Sequence, residues 1–222
     1  MPSHAFEYIS FDCYGTLTNF RIGEVTRARM SDRVSADRMS AFLADYAAYR
    51  FDEVLGAWKP YPQVLHDSLA RTCARWNVAF DESDAQAIVA AVPTWGPHAD
   101  VPAGLSRLAR EVPLVILSNA SNDQIHSNVA KLGAPFYAVF TAEDAGAYKP
   151  RFRAFEHMFD SLGCAPADIL HVSSSLRYDL MSARALGIGA RVFVDRGHDI
   201  PNPAYGYRAV DGIDAVPELL GL

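Results

Sequence analysis

The stretch Tyr8-Ile9-Ser10-Phe11-Asp12-Cys13-Tyr14-Gly15-Thr16-Leu17-Thr18 carries a short apolar run into a carboxylate and then into a glycine turn. Tyr8, Ile9 and Phe11 read as a buried β-strand, and Gly15 permits the sharp turn at its carboxyl end. Ligands of open parallel sheets bind outside the carboxyl ends of the strands, so Asp12 stands where chemistry is expected. The plainer reading is a strand-terminating aspartate that only solvates a turn. Alternation along the strand turns Cys13 away from Asp12, which makes the thiol a packing group and not a second nucleophile.

Working outward, residues from about Phe20 to Trp95 carry helical and not strand periodicity. Met39, Phe42, Leu43, Tyr46 and Tyr49 form one stripe, and Val64, Leu65, Ser68, Leu69, Thr72 and Cys73 another. Ala85 to Val92 is a third, shorter helix, and Pro93 and Pro97 bracket the return to the core. Trp58, Tyr61 and Trp95 either line an apolar pocket or serve as packing. Beyond this region the pattern alternates. Helices are predicted over 102–111, 121–132, 151–162 and 178–186, and strands over 113–117, 137–140, 169–172 and 190–194. Such alternation predicts an α/β fold with a doubly wound parallel sheet covered by helices. The domains are then 1–19 with 97–222 as the α/β core and 20–96 as a helical insertion. Arg196 to Tyr207, with Gly, Pro and Asn, reads as an extended surface loop.

Three later segments end at positions equivalent to Asp12. Leu114-Val115-Ile116-Leu117-Ser118-Asn119-Ala120 is an apolar strand ending in small hydrogen-bonding residues. Ala147-Tyr148-Lys149-Pro150 puts a lysine before a helix that Pro150 can start. Ile169-Leu170-His171-Val172-Ser173-Ser174-Ser175-Leu176-Arg177-Tyr178-Asp179 is a strand followed by a polar loop and a second carboxylate. Read singly, each residue has a structural alternative. Lys149 is then a solvated loop residue, Ser118-Asn119 and Asp179 are helix caps, and Tyr14 is packing.

Taken in order, these segments resemble the four motifs of the haloacid dehalogenase superfamily: an Asp nucleophile, a Ser or Thr, a Lys and a closing acidic loop. The resemblance runs from Tyr8 to about Arg196. Phosphatases of that superfamily place a second Asp where this chain has Tyr14, and Gly-Asp where it has Ser173-Ser174. Asp-x-Tyr-Gly-Thr with a Ser-Ser loop is similar to the type II 2-haloacid dehalogenases, a Rossmann-like core with a helical cap that works without a metal or other cofactor. The resemblance implies that Asp12 displaces halide from C2 of a short 2-haloacid and forms an ester that water cleaves. It further implies that Lys149 keeps Asp12 ionised and that Thr16 holds it. Ser118, Asn119 and Tyr14 would bind the substrate. Asp179, with Ser173 and Ser175, would handle the water. The inserted cap would close over Asp12.

The chain also departs from that pattern. The final loop reads Ser173-Ser174-Ser175 where Ser-Ser-Asn is usual, and Phe155 replaces a tyrosine. The arginine that grips halide has two candidates, Arg50 and Arg38; Arg50 is carried forward as the binding residue. Two rivals remain. One is a phosphatase holding magnesium through Asp12 and Asp179, and the other is a binding protein without turnover.

At 222 residues with 50% hydrophobic content, a core domain plus a modest insertion can bury a full interior. The formal charge of −6 argues against a nucleic-acid partner and leaves an anionic substrate dependent on local cations. No apolar run reaches membrane-spanning length and no signal peptide is evident, so no membrane partner is expected. Cys13, Cys73 and Cys164 form no paired spacing, which suits a reducing cytoplasm. A homodimer is implied only by the resemblance.

Overall fold

The computed structural model describes residues 6–222, so the first five residues of the expected core domain lie outside the described residues. Six strands are formed: β1 Tyr8–Phe11, β2 Leu114–Ser118, β3 Ala138–Thr141, β4 Ile169–Ser173, β5 Ala190–Val194 and β6 Arg208–Val210. They make one sheet in the order β3-β2-β1-β4-β5-β6, with every pairing parallel. The helices of the sheet domain are α5 Val101–Leu108, α6 Asn122–Val129, α7 Ala142–Ala145, α8 Phe152–Leu162, α9 Met181–Ala185 and α10 Val216–Leu220.

The unbroken apolar run of β2 reflects burial on both faces. Leu114 and Ile116 join Ile9, Phe11, Leu170 and Val172 beneath Val101 and Leu105 of α5, Ile125 of α6 and Val216 of α10. Val115 and Leu117, one residue out of phase, join Ile169 beneath Phe155, Met158 and Phe159 of α8 and Ala183 of α9. Each fully buried side chain of this kind contributes roughly 1.5–3 kcal/mol.

Chain order fixes where a ligand can sit. After β1 the chain builds β2 and β3 to one side, then returns to place β4 on the other side of β1. Strand order therefore reverses between β1 and β4, and the crevice at their carboxyl ends is the expected binding position. The register pairs Ser10 with His171 and Phe11 with Val172. The Asp12 N–H extends that ladder by donating to Val172 O at 3.0 Å.

Contacts divide the chain into two compact units: the described residues up to Asn19 together with Gly96–Leu222, and Phe20–Trp95. The second unit holds α1 Ile22–Met30, α2 Ala36–Leu55, α3 Tyr61–Trp76 and α4 Glu82–Ala91. Both predicted stripes face inward, with Met39, Phe42 and Tyr46 buried on α2 and all six named residues buried on α3. The unit ends at Trp95, one residue before the expected boundary, because the Gly96 carbonyl accepts from Asn19 N–H at 2.9 Å within the sheet unit. The aromatic trio is not one set, since Trp58 is exposed while Tyr61 and Trp95 are buried.

Several elements differ from the sequence reading. Helix α1 was not expected, nor were α7, β6 and α10. Most of β6 is exposed, so its residues carry no apolar signal. Pro150 does not open α8: the Lys149–Pro150 bond is cis and the helix starts at Phe152.

One tight approach locks α5 onto the sheet domain. A Cβ on Gly104 would run into the carbonyl group of Ile213. Gly104→Ala should therefore lower unfolding stability by about 1–3 kcal/mol, read as a lowered urea midpoint with an unchanged slope.

Candidate active site

Asp12 leaves β1 and enters a turn closed by the Gly15 N–H donating to Thr18 O at 2.8 Å and the Leu17 N–H donating to Cys13 O at 2.8 Å. Gly15 has φ +94°, in the region a side chain would strain. The turn folds the Thr16 hydroxyl back onto Asp12 Oδ2 at 2.6 Å. Thr16 Oγ1 also accepts the Ser174 N–H at 2.8 Å, tying the β1 turn to the end of β4. Arg196 braces the turn from behind, donating to Thr16 O at 3.0 Å while paired with Asp100 at 2.7 Å. Cys13 is fully buried, its thiol pushed up to about 12 by burial, as a packing residue would be.

Lys149 is 1% exposed, and its three ammonium protons are all used. They go to Asp12 Oδ1 at 2.9 Å, Asp179 Oδ1 at 2.7 Å and Leu117 O at 2.8 Å. Its backbone is stapled by Asn119, whose amide donates to Lys149 O at 2.9 Å and accepts from Lys149 N–H at 2.7 Å. The Ser182 hydroxyl holds the next carbonyl, Pro150 O, at 2.6 Å. Asp179 reaches the ammonium from the irregular turn Leu176–Leu180 after β4. His171 Nε2 lies 2.9 Å from the same Asp179 oxygen.

Two buried carboxylates on one ammonium do not titrate alike. Burial lifts the Asp12 carboxyl above its ordinary range; Lys149 opposes the shift and Asp179 adds to it. Burial also pushes Asp179 upward, but Lys149 and then His171 outweigh it and hold the carboxyl below its ordinary range. For Lys149, burial favours the neutral amine, yet Asp12 and Asp179 prevail and raise it. The charged ammonium is therefore the favoured form of the lysine here.

Ser118 Oγ is buried and has no hydrogen-bond partner among the described residues. The Asn119 side chain is engaged with the Lys149 backbone, which gives it a scaffolding duty where substrate contact was expected. Tyr14 donates its hydroxyl to Asn128 Oδ1 at 2.8 Å. Ser173 Oγ accepts from Ser175 N–H at 2.9 Å, and Ser175 Oγ accepts from Tyr178 N–H at 3.2 Å, so both serines shape the turn that carries Asp179. In the helical unit, the Arg50 guanidinium lies 5.2 Å from the Phe20 ring centre and 5.0 Å from that of Tyr46. Ser10, His171, Arg196 and Asp100 were missed. For the first two the signal was present, as polar residues interrupting apolar strands.

The fold family also raises the question of magnesium, and the donor set fits it poorly. A divalent hard cation gathers about six oxygens, several of them anionic. Tyr14 and Ser174 stand where further acids would be needed, and the Lys149 ammonium already bridges Asp12 and Asp179. Among the described residues no cluster of three or more His, Cys, Asp or Glu suits a metal ion.

A parallel α/β sheet with a buried, lysine-paired carboxylate at its switch point defines a class of hydrolytic cores. The family described as haloacid dehalogenase-like hydrolase matches residues 6–187, and the chain belongs to it. The chain is 29% identical over 189 residues to haloacetate dehalogenase H-2 of Moraxella sp. (strain B), covering 82% of each. It is 27% identical over 187 residues to (S)-2-haloacid dehalogenase H-109 of Pseudomonas putida, again covering 82% of each. Among solved structures, the fold matches L-2-haloacid dehalogenase from Xanthobacter autotrophicus with chloropropionic acid covalently bound, at TM-score 0.78 and 21% identity over 97% of this chain and 98% of that one.

Replacing Lys149 by Met leaves two buried carboxylates without a counterion, a change that costs about 3–5 kcal/mol. Both carboxyls then have folded-state pKa values raised above their unfolded ones. The lost stability is recovered at pH below the ordinary carboxylate range and is largest at neutral pH. Melting temperature against pH should therefore show Lys149→Met converging on the parent protein as the solution is acidified.

Proposed function

We propose that the protein is a 2-haloacid dehalogenase in which Asp12 is the nucleophile and no metal takes part. The observation that carries this reading is the buried Asp12 carboxylate paired with Lys149 at 2.9 Å, with Tyr14 and not an acid two residues after it. The Tyr14 hydroxyl, at the position where an acid would stand, is donated to Asn128. An alcohol leaving from a phosphate ester needs such a proton, whereas halide departs as a stable anion. The magnesium phosphatase alternative is weaker for the same reason.

In the first step an Asp12 oxygen bonds to C2 of the haloacid as the carbon–halogen bond breaks, the halide taking the bonding electrons. In the second, water adds to the Asp12 carboxyl carbon, the ester C–O bond breaks and the 2-hydroxy acid leaves with a proton from water. Asp12 is regenerated as a carboxylate. Lys149 offsets the charge of Asp12 against the incoming anion; a unit pair at about 4 Å is worth roughly 4 kcal/mol at an effective dielectric near 20. Ser118 Oγ, buried and unbonded among the described residues, is available to the substrate carboxylate or to the oxyanion of ester cleavage. Asp179 takes the proton of the attacking water. Of the two halide-binding candidates in the helical unit, Arg50 is the one retained: it lies over two rings, whereas Arg38 is exposed and lies over Trp76 at 4.6 Å. Cytoplasmic placement and a homodimer complete the reading; the three free thiols fit the former, and light scattering tests the latter.

Incubation with 2-chloropropionate or chloroacetate should release halide at a rate that a chelator does not change. Asp12→Asn should lose at least about 10⁴-fold in kcat/KM. Halide release that survives this substitution, or that requires magnesium, overturns the proposal. The Asp12 nucleophile acts only when ionised and its carboxyl is raised. The acidic limb of kcat/KM should therefore lie above the ordinary range of a free aspartate, as halide release across a pH series will register.

A further inference from the structure

Ser10 and His171 are fully buried polar residues in strands otherwise built from apolar ones. The register of β1 on β4 sets them side by side, and Ser10 Oγ lies 2.8 Å from His171 Nδ1. Across the ring, Nε2 meets the Asp179 oxygen that also accepts from Lys149. Phe155 closes the other side of the imidazole edge-on, with ring centres 5.7 Å apart. Burying two polar groups where aliphatic side chains would pack costs free energy unless their hydrogen bonds are made, and here they are made to each other and to Asp179.

The Asp179 carboxylate decides the tautomer. Its oxygen can only accept, so the contact at 2.9 Å places a proton on Nε2. In that tautomer Nδ1 is an acceptor, and it lies 2.8 Å from Ser10 Oγ, whose hydroxyl also reaches Leu170 O at 3.5 Å. Asp179 Oδ1 thereby accepts two hydrogen bonds, one from the Lys149 ammonium and one from the His171 ring. Asp179 Oδ2 is buried and accepts nothing from the described residues.

We infer that His171, held at Nδ1 by Ser10, is a positioning residue for ester hydrolysis: it pins Asp179 through Oδ1 so that Oδ2 faces the attacking water. The inference rests on the ester mechanism proposed above. Its second consequence concerns charge. The charged and titratable groups facing Asp12 are Lys149, from the loop before α8, and Asp179, from the turn after β4; His171 on β4 stands behind Asp179. Without the Nε2–H, Asp179 depends on Lys149 alone, and the carboxylate pair takes up its first proton at higher pH.

The test uses the whole protein with His171→Phe, His171→Gln and Ser10→Ala. Single-turnover reactions with 2-chloropropionate, followed by mass spectrometry, should show the Asp12 ester accumulating in His171→Phe. Its hydrolysis should be slowed roughly 10- to 100-fold, the range seen when an orienting partner is lost, while halide release in the first turnover falls less. The acidic limb of halide release should move to higher pH. His171→Gln, whose side-chain N–H can reach Asp179, should restore most of both. Ser10→Ala should produce the same changes on a smaller scale and keeps the inference open to refutation should His171→Phe not fold. In the parent protein, ¹⁵N spectra of labelled histidine, with His171 assigned by its loss in His171→Gln, should report the neutral Nε2–H form. An ester that hydrolyses at the parent rate in folded His171→Phe, or an Nδ1–H imidazole in the parent, overturns the inference. Should the parent protein release no halide at all, the ester mechanism fails instead, and the histidine spectra still decide whether the ring proton is on Nε2.

Discussion

The Lys149 ammonium, sealed from water and bonded to Asp12, Asp179 and a main-chain carbonyl, is the interaction on which the site depends. Taking one cation and two anions out of water is costly, and the cost is met only because every ammonium proton finds an acceptor. Around it the fold supplies restraint. Asn119 grips the lysine backbone from the end of β2, Ser182 holds the following carbonyl, and Thr16 takes the second oxygen of Asp12. The result is a carboxylate paired with a cation through one oxygen and held by a hydroxyl through the other before any substrate arrives.

The same geometry separates the two carboxylates by role. Asp12 keeps 7% of its surface exposed while Asp179 has none, so the first is the more open of the two. Asp179 is held low by Lys149 and His171, and Asp12 is pushed high by burial and by Asp179 itself. Environment alone thus sets two chemically identical side chains apart in acidity. The chain as a whole is acidic, with a formal charge of −6, so attraction of an anionic substrate falls to local cations and not to the overall field.

Much of this was legible in the sequence, for identifiable reasons. Strands buried on both faces announce themselves as apolar runs, so β1, β2, β4 and β5 were found to within a residue or two, and the stripes of α2 and α3 follow from helical spacing. The carboxyl ends of those strands then singled out Asp12, Ser118 and Ser173, with Lys149 and Asp179 in the loops nearby. What escaped was the information that resides in pairing. The register that makes Ser10 and His171 neighbours exists only once β1 lies on β4. The duty of Asn119 depends on a loop thirty positions away in the chain. Arg196 reaches the Thr16 carbonyl from just after β5, 180 positions along the chain. The edge strand β6 escaped for a different reason: exposed Arg208 and Ala209 leave no hydrophobic trace.

The stem of the helical insertion has a consequence of its own. Asn19 donates its N–H to Gly96 O and its side-chain amide to Pro97 O at 3.0 Å, and Thr18 bridges Pro97 antiparallel, all within the sheet unit. The two ends of the excursion are thus clasped independently of what hangs between them, and the entropy of closing so long a loop is borne by the stem. Evolution can lengthen, shorten or exchange the insertion there while the Asp12 turn a few residues upstream keeps its shape. Such a seam allows one reactive core to be refitted for different guests.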